Sequence, residues 1–205
     1  MPQDPPHPAT QRVLEAAARK GVTLEVTTFD ASTHTAEQAA AALGVELGQI
    51  VKSLVFVVPD GDELEPILCL VSGVDRVDVG RLGAVVGRSD VRRATAREAS
   101  DLTGFTIGGI PPVGHPRPPR AFMDPDLGRY ATVWAAAGTS TAVFPVPPAA
   151  LRMLANATVA PIAESRRPAD VAAEALLGDP VSTTSDPETG GALAGSDPAT
   201  QGAGA

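Results

Sequence analysis

The chain has 205 residues, 43% of them apolar and 20% charged, with a formal net charge of −8; it is long enough for one domain with a real core and is globular rather than disordered in composition. One cysteine, Cys69, excludes an internal disulfide framework. The longest apolar run, Leu54 to Val58, is too short to cross a bilayer, and the opening MPQDPPHP lacks the basic and apolar regions of a signal peptide, so a cytoplasmic protein is expected.

Aromatics amount to 3%, so the core must be built from Ala, Val, Leu and Ile. Residues 1–9 are proline-rich and read as a disordered N-terminus. Gln11 to Lys20 places Val13, Leu14, Ala17 and Ala18 on one helical face, with Gly21 as the stop. Val22, Leu24 and Val26 alternate with polar residues as a half-buried strand does. Thr35 and Gln38 form a capping-box pattern that opens a helix ended by Gly44. Ile50 to Val58 reads as a strand, a turn at Asp60-Gly61 follows, and Ile67 to Val71 reads as its neighbour. Asp78 to Val86 reads as a helix, and Thr95 with Glu98 repeats the capping box to begin another. After a Gly- and Pro-rich loop from Gly108 to Pro119 come strands near Arg120–Met123, Ala131–Ala136 and Thr141–Val146, with Gly138 turning the last pair. A helix from Pro148 to Leu154 closes a domain expected to span residues 10–165. A weak helical extension follows over 166–177, from Pro168. Residues 178–205 carry four acids and no Lys or Arg, with too few large aliphatics to offset the entropy of ordering, and read as a disordered acidic tail. Hairpin-like strands beside crossover helices predict a mixed α/β (α+β) fold with a mixed sheet, not a doubly wound parallel one.

The chain contains no CxxC, HExxH, Walker loop, GxGxxG or GxSxG pattern. Its histidines, His7, His34 and His115, are scattered, so neither a metal site nor a cofactor is expected. Cys69, inside ILCLV, reads as a buried core thiol. Lys52 stands out in IVKSLVFVV, where alternation places it on the face of Ile50, Leu54, Phe56 and Val58. An ammonium there either meets something anionic or snorkels to water from near the strand end. The loop Gly108-Gly-Ile-Pro-Pro-Val-Gly-His115 is rigid yet bare of side chains. It reads either as a plain connection or as a backbone able to aim N–H groups at a ligand or an oxyanion. Arg88, Arg92, Arg93 and Arg97 form a basic cluster, either a solvated patch or a surface that meets phosphate.

The segments TAEQAAAALGVELGQIVKSLVF and TGFTIGGIPPVGH, in this order and separation, closely resemble the YbaK/ProX family, single-domain relatives of the editing domain inserted in bacterial prolyl-tRNA synthetases. The resemblance covers roughly residues 10 to 165. It implies a curved, partly barrel-like mixed sheet with flanking helices, and hydrolysis of the ester joining a wrong amino acid (Ala, Cys or another small residue) to tRNA, typically tRNA for proline. The family's strand lysine maps onto Lys52, and its glycine loop onto Gly108, Gly109, Pro111 and Gly114. Asp124, in FMDPD, lies where members often carry a polar residue near the pocket, although capping accounts for it equally well.

The mechanism expected from these parts has Lys52 hold the phosphate or ribose of the terminal adenosine and favour charge at the ester. Backbone N–H groups of Gly108 and Gly109 stabilise the oxyanion. Water attacks, activated by the substrate's own groups or by Ser53 or His115, the latter being open to a purely structural reading as well. The implied partners are mischarged tRNA and prolyl-tRNA synthetase, with no membrane. The alternative from another class is a module that binds tRNA 3′ ends or a synthetase without catalysis.

Overall fold

A computed structural model describes residues 6–29 and 35–164. The expected extension at 166–177 and the tail at 178–205 lie outside the described residues, as does His34. Helix α1 (Pro8–Arg19) opens inside the segment expected to be unstructured. Proline suits a first helical position, and the His7 ring accepts from the Ala9 N–H at 3.1 Å. Val13, Ala16 and Ala17 are buried, whereas Ala18 is exposed.

The expected strand at Val22–Val26 is not one. Leu24 is buried and Val22 and Val26 pack on the main core, so the alternation is real. Their backbone nevertheless pairs with no strand, and only β1 (Thr27–Thr28) does. Periodicity reports which side chains are covered, not where backbone hydrogen bonds go.

Helix α2 (Ala36–Leu43) carries the reciprocal capping box of Thr35 and Gln38 and ends at Gly44. The hairpin of β2 (Val51–Asp60) and β3 (Glu63–Ser72) follows, pairing Asp60 with Glu63 across its turn. Helix α3 (Val79–Val86) starts on the Asp78 side chain. The two-residue strand β4 (Arg92–Arg93), not foreseen, leads into α4 (Ala96–Thr103) with its Thr95–Glu98 capping box. Then come β5 (Arg120–Met123), β6 (Val133–Ala136), β7 (Ala142–Val146), α5 (Pro148–Ala155) and β8 (Thr158–Val159), the last also unforeseen.

Five strands form a mixed sheet in the order β4-β2-β3-β5-β8, antiparallel from β4 to β3 and parallel from β3 to β8. A three-stranded antiparallel sheet, β1-β7-β6, meets it through an isolated parallel bridge between Ile50 and Trp134. The mixed α/β architecture holds, and among the described residues no further pairing closes the sheets into a barrel.

The β2–β3 hairpin is buried on both faces, which is why its strands read as nearly continuous apolar runs. Val51, Val55, Leu68 and Leu70 face the main core with α1, β6, β7 and α5. Phe56, Val58, Ile67, Cys69 and Val71 face a second core against α3. Burial there pushes the Cys69 thiol up to about 12, so it is a core residue and no nucleophile. A third cluster joins Ala39 and Ala40 of α2 to Ile50 and Trp134.

Candidate active site

Lys52 lies on β2 opposite Val71, where the second core gives out and the strand becomes half-buried. Its Nζ donates to the carbonyl oxygen of Asp75, in the turn that follows β3. Among the described residues that is its one hydrogen bond, although an ammonium has three donors. Desolvation lowers its pKa below the ordinary 10.5; the charges of Asp75 and Glu37 oppose the drop, and those of Arg76 and Arg93 add to it. Lys52 thus meets a neutral main-chain carbonyl from the half-buried end of its strand.

That end of the strand bounds a cavity of about 340 Å³. Lys52 and Ser53 of β2 line one side, the start of α2 (Thr35 to Glu37) another, and Arg93 of β4 a third. Ile107 and Gly108 come from the glycine loop, Trp134 from β6, and Thr139 and Ser140 from the β6–β7 connection. Much of the remaining surface is aliphatic, so the site combines an apolar body with a few polar groups, as small-ligand sites do. The Ser53 Oγ is buried without a hydrogen-bond partner among the described residues. Glu37 is exposed, and its carboxyl is held below the usual range by its own backbone N–H first, then by Thr35, with Lys52 adding to the effect.

The glycine loop divides between site and scaffold. Gly108 has φ +88°, a conformation natural to glycine, and lines the cavity. Gly109 lies behind it: a Cβ there would stand 2.7 Å from the Thr139 backbone, so its missing side chain lets the loop touch the β6–β7 connection. The Gly109 N–H donates to Thr106 at 3.0 Å. Of the two N–H groups expected to be free, only that of Gly108 lacks an acceptor among the described residues.

Pro111 is buried, and Gly114 packs on α1, where a Cβ would be 3.3 Å from the Arg12 carbonyl oxygen. Neither lines the cavity. His115 does not reach it either. Its Nε2 is 2.9 Å from the Pro111 carbonyl oxygen and its ring meets Phe105 edge-on at 5.5 Å. Desolvation lowers its pKa. Both contacts lie within the segment 105–115 and hold the loop back on itself.

Asp124 is corrected in the same way. It is 3% exposed and lies outside the cavity lining. Its Oδ1 accepts from the Asp126 N–H at 3.0 Å, and its Oδ2 from Ile162 at 2.9 Å and Ala163 at 2.8 Å. The carboxylate pins the segment after β8 to the end of β5. Asp75, Asp124 and Asp126 offer oxygens within 4.8 Å of one another, the one such potential metal-ligand trio among the described residues. Both Asp124 oxygens are already committed to backbone N–H groups.

Glu37, Ile107, Trp134, Thr139 and Ser140 escaped the sequence reading. Nothing local marks them, since each looks like an ordinary helix, loop or strand residue until the elements meet.

The comparisons with known proteins bear on the same fold and site. Residues 30–154 match the aminoacyl-tRNA editing domain family. The chain belongs to that family. A solved structure of a candidate trans-editing enzyme for prolyl tRNA synthetase is 46% identical, with a TM-score of 0.72, over 78% of this chain and 100% of that one. YwhH of Bacillus subtilis, an uncharacterised protein, is 34% identical over 60% of this chain and 76% of its own. EbsC of Enterococcus faecalis, a candidate Cys-tRNA(Pro)/Cys-tRNA(Cys) deacylase, is 27% identical over 62% of this chain and 76% of its own. The YbaK/ProX resemblance therefore holds, and the cavity described above lies within the matched span of the editing domain. No helix among the described residues is long and apolar enough to cross a membrane.

Proposed function

We propose that this editing domain is a trans-acting deacylase that hydrolyses the ester of a mischarged tRNA, the tRNA for proline carrying a small amino acid such as Ala or Cys. The observation that carries the reading is the half-buried Lys52 ammonium, held by the Asp75 carbonyl on the wall of a mainly apolar cavity beside Gly108.

In this reading water adds to the ester carbonyl carbon. The tetrahedral oxyanion forms beside the Lys52 ammonium and the Gly108 N–H. Collapse expels the ribose oxygen, which takes up a proton, and leaves free amino acid and tRNA. An oxyanion donor in such a site is worth about 3 kcal/mol. Among the described residues the cavity lining contains no histidine, cysteine or aspartate. In this reading the attacking water is activated by the substrate's own amino or ribose hydroxyl group, with the Ser53 hydroxyl, unpartnered among the described residues, to position it. An ester needs no stronger base. Glu37, the one carboxylate in the lining among the described residues, suits the substrate's α-ammonium. The family match and the relatives that name prolyl tRNA synthetase and Cys-tRNA(Pro) support a substrate of this class, and a cytoplasmic setting beside prolyl-tRNA synthetase goes with it.

The test is deacylation of tRNA for proline charged with Ala, Cys, Ser or Pro by the wild type and Lys52→Ala. Lysine-dependent release from one mischarged species is expected. Binding of every species without hydrolysis of any would replace the enzyme by a module that reads tRNA 3′ ends.

A further inference from the structure

We propose that Arg93 is the residue that binds the 5′-phosphate of the terminal adenosine, leaving the Lys52 ammonium for the ester. The inference rests on the deacylase reading and adds to it the group that anchors the nucleotide.

The sequence places four arginines together, and the structure separates them. Arg88 donates to Asp90 at 2.6 Å and to the Pro59 carbonyl. Arg92 makes a two-pronged contact with Glu98, at 2.7 and 2.9 Å, and its hydrogen bonds hold the Glu98 carboxyl down at about 2. Arg97 faces Asp101 at 3.6 Å one helical turn away. Each of these cations is answered by an acid two to six residues further along the chain. Arg93 has no such side-chain partner among the described residues, and it alone of the four lines the cavity.

The reason lies in strand geometry. Arg92 and Arg93 pair with Val57 and Phe56 of β2, and successive strand residues point to opposite faces. Arg92 turns towards α4 and its Glu98, while Arg93 turns towards the side of β2 that carries Lys52. The two cations are near enough for Arg93 to depress the Lys52 pKa. Among the described residues three charged groups line the cavity: Lys52, Arg93 and Glu37. The backbone N–H groups that begin α2 add partial positive charge at its edge. In a chain of net charge −8 this is a locally positive site, which selects a ligand carrying negative charge.

An aminoacyl-adenosine carries its ester on the ribose, and its nearest anion is the phosphate on the same ribose. A guanidinium is always charged and presents a planar fork of donors that fits phosphate, whereas a lysine offers a point charge. Lys52, already tied to the Asp75 carbonyl, is fixed in place, while Arg93 at the exposed rim is placed to meet an incoming backbone.

Trp134, the one tryptophan of the chain, lines the same cavity and reports occupancy by its fluorescence. The full chain is titrated with adenosine and with AMP at low salt, as wild type, Arg93→Gln, Arg93→Lys and Arg97→Gln. AMP is expected to bind about tenfold more tightly than adenosine to the wild type and to Arg97→Gln. That ratio should fall to about one in Arg93→Gln and be partly restored in Arg93→Lys. On whichever charged tRNA the wild type hydrolyses, Arg93→Gln should raise KM about tenfold with kcat within about twofold, and reduce the salt slope by about one. An AMP preference that is absent from the wild type, or that survives Arg93→Gln, overturns the proposal even if the enzyme is active. A wild type inert on every charged tRNA that still shows an Arg93-dependent AMP preference overturns the deacylase reading and leaves the phosphate site standing.

Discussion

Asp124→Ala separates a carboxylate that shapes the substrate pocket from one that holds the fold together. The substitution leaves the N–H groups of Asp126, Ile162 and Ala163 without the acceptor they now meet at 2.8 to 3.0 Å. A hydrogen bond to a charged group contributes about 1.5–3 kcal/mol. Two of the three share Oδ2, so the sum is less than additive and comes to about 3–6 kcal/mol. That is a large part of the 5–15 kcal/mol that holds an average domain folded. For a domain of this size each kcal/mol moves Tm by about 2–4 °C, so a fall of about 10–20 °C is expected in a thermal melt. Below that transition, at 15 °C, deacylation kinetics should stay within about threefold of wild type, because Asp124 does not line the cavity. Asp124→Asn, which keeps one acceptor oxygen, should fall between. A variant with unchanged Tm and lost activity would refute the reasoning and return Asp124 to the reaction.

The remaining expectations concern Lys52, His115 and Gly109. Lys52→Ala should lower kcat/KM by about two to three orders of magnitude while moving Tm by only a few degrees. Because Lys52 binds its proton less tightly in the fold than in the unfolded chain, stability should rise as pH climbs from its lowered pKa towards 10.5; alkaline denaturant melts of Lys52→Met should lack that rise. Wild-type activity runs the other way, falling once the ammonium is lost at a pH below 10.5, and a profile that stays level to that pH would exclude a catalytic ammonium. The His115 pKa is depressed from 6.5, so the fold loses stability as pH falls below that value; His115→Leu should flatten this acid limb and leave activity at neutral pH unchanged. Gly109→Ala must push a Cβ to 2.7 Å from the Thr139 backbone, which cannot swing aside as a side chain can. A loss of about 1–3 kcal/mol is expected, together with lower activity as Gly108 shifts; an unchanged urea midpoint would show that the contact is loose.

Much of the fold was legible in the chain because its signals act over a few residues. The capping boxes at Thr35 and Thr95 and the left-handed stops at Gly44 and Gly104 are set by neighbouring backbone groups, and they lie where the sequence puts them. The apolar runs of β2 and β3 announce a hairpin covered on both faces. Lys52 was legible too, as a charge in a run with no other polar neighbour but Ser53. What the sequence could not carry is the convergence of distant segments. The cavity draws on residues 35–39, 50–54, 93, 107–110 and 134–143, and no spacing along the chain encodes that meeting. The same limit explains the segment at 22–26, where burial alternates as in a strand but the edge it would pair with lies elsewhere. It explains Asp124, whose backbone partners at 162 and 163 lie nearly forty positions on. Arg92 and Arg93 are adjacent and chemically identical, and only the strand that carries them past β2 sends one to Glu98 and the other to the cavity. Local chemistry is written in short stretches of sequence; a site drawn from five separate stretches of chain exists only once tertiary packing has brought them together.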